Sequence, residues 1–263
     1  MKYWKAHFKD KLHDEDIIIK NSEDIYKNTP LSFELDGFLF KGNELGEFLL
    51  DDISKYEDAN KKFNILKVGP YKFFSDTPSY LYVLQRCQIY VEIPINVLDL
   101  KERKKKNGIL KISFSMVEHD KNNFQSIIIY CDNQRIYRDD IIVSDVSLYV
   151  GDEKYESDEK SLSFELILEN LLQKMCGKYR ILSCFTCQYS DYSPYGNDNY
   201  GTLNCYKRHK NECLKVHNKD DYFKYLEDKD FDARQETYLC DEYKFRNICS
   251  GYRGFVKGTI IKE

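Results

Sequence analysis

Apolar and polar residues alternate along much of the first 150 positions, and that alternation predicts strands. In CQIYVEIPINV (87–97), Cys87, Ile89, Val91, Ile93, Ile95 and Val97 are apolar at every second position, which is the period of a half-buried strand. Pro94 lies inside this run and has no backbone donor, so an edge or a bulge is expected there. GILKISFSMV (108–117) alternates in the same way through Leu110, Ile112, Phe114 and Met116. LSFELDGFLFKG (31–42) reads as a hairpin, because Asp36-Gly37 is a favoured two-residue turn between alternating runs. SIIIYC (126–131), RIYRDDIIV (135–143) and VSLYV (146–150) supply further strands. GEFLLDDISKY (46–56) fits a short helix or another strand. Short strands at this spacing predict an antiparallel β-sandwich.

The period then changes. In SLSFELILENLLQKMCGK, Phe164, Ile167, Leu168, Leu171, Leu172 and Met175 recur at helical spacing, predicting a helix over 161–176. Ser161 or Ser163 can cap its first turn, and Gly177 suits the left-handed stop. The polar stretch GDEKYESDEK (151–160) before it marks the expected division. It separates a β-sandwich-like domain over 1–155 from a Cys-rich α+β module over 156–263, so the class is mainly β, or α+β. Within the module, RILSCFTC (180–187) predicts a strand ending in a tight turn, and DYSPYGNDNYG (191–201) a long turn. TLNCYKR and CLKVH read as two strands joined by HKNE, and NKDDYFKYLED (218–228) as a short helix. RQETYLCDEYKFR (234–246) and GYRGFVKGTII (251–261) read as the last strands.

Composition and charge narrow the function. The 22 Tyr and 16 Phe favour strands. A formal net charge of -4 lacks the basic field of a nucleic-acid binder, and KERKKK (101–106) reads as a solvated hairpin loop. The charged start MKYWKAHFKDKLHDED has no apolar core of a leader, and no run reaches the ~18 apolar residues of a membrane span. A cytoplasmic protein is expected, with no nucleic-acid or membrane partner. In that compartment thiols stay reduced, so the nine cysteines point to metal before disulfides.

Two cysteine patterns compete. Cys205, His209, Cys213 and His217 stand at a strict four-residue interval. On a helix they would climb about 18 Å, too far for one ion, and across a strand–turn–strand the interval has no geometric meaning. The Cys184-Phe-Thr-Cys187 pair, by contrast, can turn two thiolates towards one ion. Cys205 and Cys240 each end a short alternating run, GTLNC and ETYLC, and complete a four-thiolate structural zinc site with Cys213 as first substitute. A redox role for Cys184 and Cys187 is a poorer fit, because Pro and Gly follow closely where a helix would have to start.

The run CxxCxYSDYSPYGND from Cys184, then GTLNCYKR, QETYLC and GYRG, resembles a bacterial family defined by a domain of unknown function. The resemblance covers roughly residues 180 to 255. It implies no catalytic residues, and it implies that Cys184, Cys187, Cys205 and Cys240 belong to the shared pattern.

The remaining candidates are polar. The tyrosine-rich loop with Asp191, Tyr192 and Tyr195 suits recognition of a partner, and Arg253, set between glycines, can fork onto a carboxylate such as Asp191 or Glu236. The expected function is therefore a non-catalytic protein-binding module stabilised by zinc, with a protein of a toxin or secretion system as partner. The alternative is an enzyme using Asp191, Glu236 and Arg253, which requires hydrogen-bond reach among them and a shifted carboxylate.

Overall fold

A computed structural model describes residues 1–23, 30–71, 79–116, 127–131, 134–138, 141–159, 163–195 and 200–246. The chain is mainly β, of the α+β type. It divides into two compact units that interleave in sequence. The first comprises Met1–Ser22, Lys27–Val91 and Ile112–Ser144, the second Glu23–Tyr26, Glu92–Lys111 and Asp145–Glu263. Two long strands, β8 (Cys87–Asp99) and β9 (Lys104–Met116), therefore give residues to both.

The first unit opens on β1 (Lys2–Lys9) and β2 (Asp14–Asn21), paired antiparallel from Lys2↔Asn21 to Lys9↔Asp14. Their inward faces carry Trp4, Ala6 and Phe8 against Ile17 and Ile19, all buried. Next come β3 (Leu31–Leu35), β4 (Phe38–Gly42), β5 (Leu49–Leu50), helix α1 (Tyr56–Lys62), β6 (Asn64–Tyr71) and β7 (Ser79–Gln85). The sheet order is β8-β1-β2-β3-β4-β5-β7-β6. Asp36 and Gly37 both have positive φ, 53° and 79°, which a two-residue hairpin turn of this hand requires at both positions. Gly42 is needed for another reason, since a Cβ there would lie 2.1 Å from the Glu47 carbonyl oxygen. The core is aromatic: Phe33 meets Phe48 at 4.9 Å and Phe40 at 5.2 Å between ring centroids, and Phe40 meets Phe63 at 5.1 Å. The unit also holds the hairpin β10 (Ile127–Cys131) and β11 (Gln134–Arg138) and the start of β12 (Ile141–Val150).

In the second unit β13 (Glu153–Glu156) pairs with β12, and the order is β13-β12-β9-β8 with β14 (Tyr179–Leu182) against Asn96–Asp99. All six alternating apolar residues of 87–97 are buried, as the period predicts. The expected loop over KERKKK is shorter than its charge suggests. β9 already begins at Lys104, because the Asp99 carboxylate accepts from the N–H groups of Lys101 and Glu102, each at 2.9 Å, and closes the turn early. Helix α2 (Phe164–Lys174) buries Phe164, Ile167, Leu168, Leu171 and Leu172, each such side chain contributing about 2 kcal/mol. The Ser163 hydroxyl caps it by accepting from Leu166 N–H at 3.3 Å, and Gly177 ends it at φ +82°.

After α2 the unit becomes loop-rich. A small sheet joins β15 (Ser190–Asp191), β16 (Leu203–Cys205) and β17 (Asp232–Arg234), with the short helices α3 (Lys210–Cys213) and α4 (Lys219–Tyr225) between its last two strands. The strand–turn–strand expected over 205–217 is not formed. The chain leaves β16 into a 3-10 turn at Lys207–His209 and then α3, which tucks Cys213 and Val216 beside Tyr206, Tyr222 and Leu226 in one buried cluster. The strand expected over 234–246 is likewise mostly irregular beyond Arg234, with turns where Tyr238 N–H bonds Gln235 C=O and Tyr243 N–H bonds Cys240 C=O and an isolated bridge from Phe245 to Cys187. Gln235, Glu236 and Thr237 are all buried in succession, which an alternating strand does not allow. The expected strand over 251–261 lies outside the described residues, as does Arg253. Among the described residues no helix is long and apolar enough to cross a membrane.

Candidate functional site

The Cys-rich turns of the second unit gather most of the chemistry. β14 delivers the chain into a 3-10 turn, Cys184–Thr186, in which Cys187 N–H bonds Cys184 C=O at 3.1 Å. The segment 236–246 grips this turn from both flanks. Cys184 N–H bonds Tyr238 C=O at 2.6 Å, Phe185 N–H bonds Glu236 C=O at 3.2 Å, and Gln188 N–H bonds Lys244 C=O at 2.9 Å. Arg246 N–H bonds Thr186 C=O at 3.0 Å, and the Thr186 and Tyr243 hydroxyls meet at 2.9 Å.

Cys184, Cys187 and Cys205 are buried, and Cys240 is partly exposed. Burial pushes the Cys184, Cys187 and Cys205 thiols above their ordinary value. Neighbouring thiols push the same way: Cys184 feels Cys205, Cys187 and Cys240, and Cys205 feels Cys187 and Cys240. The four expected ligands thus lie in one another's electrostatic field. The backbone N–H groups of Lys244 and Tyr189 act the other way on Cys187, and that of Lys207 on Cys205, without overcoming burial. Among the described residues, no group of three or more His, Cys, Asp and Glu side chains is drawn together to hold a metal ion. Cys213 packs instead in the Tyr206–Tyr222 cluster, its thiol raised to about 12 by burial. His209 bonds Asp230 at 2.5 Å and His217 is exposed, which leaves the four-residue interval without a common site.

A second, buried polar group stands beside the turn. Asp191 is 4% exposed and pairs with Arg246 at 3.2 Å, while the same guanidinium donates to the carbonyls of Cys187 and Ser190. Glu236 is fully buried. Its carboxyl accepts from Gly201 N–H at 2.6 Å and Thr202 N–H at 3.4 Å, and burial still raises its pKa to about 8. Next to it the Tyr200 hydroxyl meets that of Thr237 at 2.9 Å. Among the described residues the arginine paired with Asp191 is Arg246, and Glu236 is held by loop amides.

The tyrosine loop divides in the same way. Tyr192, expected as a partner contact, is buried at 1% exposure and is a core residue. Tyr195 is 72% exposed. Its hydroxyl donates to Glu227 at 2.7 Å, and its ring stands 5.6 Å from Phe223.

The comparison with protein families addresses the rest of the chain. A family model matches residues 2–190. The chain belongs to a family of unknown function, DUF6304. The DUF6304 match takes in the first unit, the α2 helix and the Cys184–Cys187 turn, whereas Cys205, Glu236, Cys240 and Arg246 lie beyond it. No curated protein and no solved structure matches the chain.

Proposed function

We propose that this DUF6304 chain is a cytoplasmic bacterial protein that binds another protein without catalysing a reaction. In this reading its Cys-rich turns are stabilised by a structural zinc ion on Cys184, Cys187, Cys205 and Cys240. The observation that carries the proposal is the placement of the Cys184–Cys187 turn, which is bonded through its backbone to the 236–246 segment that holds Cys240 and leads into β15, whose Ser190 pairs with Cys205. Burial by itself favours the neutral thiols, and a bound cation would supply the charge that holds them as thiolates, the form that binds zinc. Such an ion closes its coordination with protein ligands and supplies folding energy. Cys87, Cys176, Cys184, Cys187, Cys205, Cys213 and Cys240 are free thiols, which suits a reducing compartment. The non-catalytic reading rests on Asp191 and Glu236, both withdrawn from solvent and each engaged by other groups of the fold.

Elemental analysis of protein purified without added metal tests the site. About one zinc per chain is expected, lost together with thermal stability in Cys184→Ser/Cys187→Ser. Metal-free wild type that is as stable as the variant would remove the zinc. The enzyme reading has one observation in its favour, the raised Glu236 carboxyl. It would be restored if a substrate analogue reached that buried acid.

A further inference from the structure

Tyr195 is an exposed ring with defined contacts beneath it. On its N-terminal side Tyr192 is buried and Asp191 is tied to Arg246. On its C-terminal side Tyr200 is buried at 1% exposure, and the N–H groups of Gly201 and Thr202 are held by Glu236. Between these anchors Tyr195 N–H bonds the Ser193 hydroxyl at 3.3 Å, and its ring projects to solvent. Beneath it runs one face of α4 and the turn after it. Lys219, Phe223 and Glu227 stand four residues apart, the spacing that stacks side chains along a helix. Tyr195 contacts two of the three, Phe223 by its ring and Glu227 by its hydroxyl.

We propose that Tyr195, Phe223 and Glu227 form a receptor for an arginine side chain presented by a partner protein. The proposal rests on the protein-binding reading and names what that surface takes. An exposed tyrosine face attracts a cation through its quadrupole, and a carboxylate at the ring edge supplies the counter-charge. A guanidinium satisfies both at once, because it stacks flat on a ring while its N–H fork reaches a carboxylate. The compact ammonium of lysine does only one of these well. The surface already accepts such a contact within the chain, where the Lys219 ammonium stands 5.9 Å from the Phe223 ring centre. Glu227 repels phosphate, so a nucleic acid is the wrong occupant, and the chain's net charge of -4 favours a basic partner.

The test titrates the full-length, isotope-labelled chain with the capped tripeptide acetyl-Gly-Arg-Gly-amide and follows amide and tyrosine ring shifts by NMR. Saturable shifts centred on Tyr195, Phe223 and Glu227 are expected. Affinity should drop about fivefold in Tyr195→Ala and in Glu227→Gln, and should be weaker for the lysine tripeptide. Both variants alter exposed side chains, and their spectra report directly that the fold is kept. The proposal is overturned if no shifts arise at the site, or if both variants bind as wild type does. Cross-linking of Tyr195→Ala to whatever partner the wild type captures separates the two readings. Capture that survives the substitution refutes this receptor and leaves protein binding standing, whereas a wild type that captures nothing tells against protein binding itself.

Discussion

Glu236 offers the sharpest test of the second unit, because an acid buried against its own preference leaves a signature in the pH dependence of stability. The folded-state pKa is about 8, against an ordinary 4.5, and burial is the main cause. The sign follows from proton counting. Between these values the folded chain keeps the proton while the unfolded chain has released it, so stability must fall as pH rises through this window and level off above it. Each pH unit in the window costs about 1.4 kcal/mol, and the whole span from 4.5 to about 8 costs about 5 kcal/mol. That is a large share of the ~5 to 15 kcal/mol that holds a typical domain. In Glu236→Gln the amide oxygen can still accept from Gly201 N–H, while the amide nitrogen replaces the oxygen that faces Thr202 N–H across the longer 3.4 Å. Urea unfolding of both proteins from about pH 5 to about pH 9 should give curves that meet near the acid end and diverge above it, the variant becoming the more stable by several kcal/mol. Other titrating groups act on both proteins alike and cancel in the difference. Parallel curves would refute the argument, since they would mean that Glu236 is ionised throughout or is reached by water.

Two further substitutions probe the same unit. Asp191→Asn removes the anion facing Arg246, whose side chain is 2% exposed, and should cost about 3 kcal/mol in chemical denaturation by leaving a buried guanidinium without its counter-charge. Leu171→Ala, at a fully buried position of α2, should cost about 3 kcal/mol by the same assay, through lost transfer energy and the cavity left behind.

What the sequence disclosed follows the range of the forces involved. The alternation over 87–97 and the Asp36-Gly37 turn are local patterns, and both are realised. The α2 helix is equally local, with its apolar stripe, its Ser163 cap and its Gly177 stop. The hairpin β1–β2 was legible through Trp4, Ala6 and Phe8 at period two, but the lysines and aspartates around them read as a charged start. The segment 234–246 carries a strand-like composition, yet its backbone is committed to the distant Cys184–Cys187 turn, and no local pattern encodes that commitment. The same holds for Arg246, which reaches Asp191 across 55 positions. Tyr192 and Tyr195 are alike in sequence context and opposite in burial, a difference that no local pattern encodes.

The interleaving of the two units sets an order for synthesis. Residues 92–111 emerge early, but apart from Glu23–Tyr26 the unit they belong to gathers its remaining residues only from Asp145 onward. At ~5 to 20 residues per second, the apolar faces of those two half-strands stay incomplete for seconds on the ribosome. A nascent chain in that state offers unpaired strand edges to chaperones and to its own neighbours. Stalling the ribosome shortly before residue 145 and again after release should therefore separate a chaperone-bound chain from a free one.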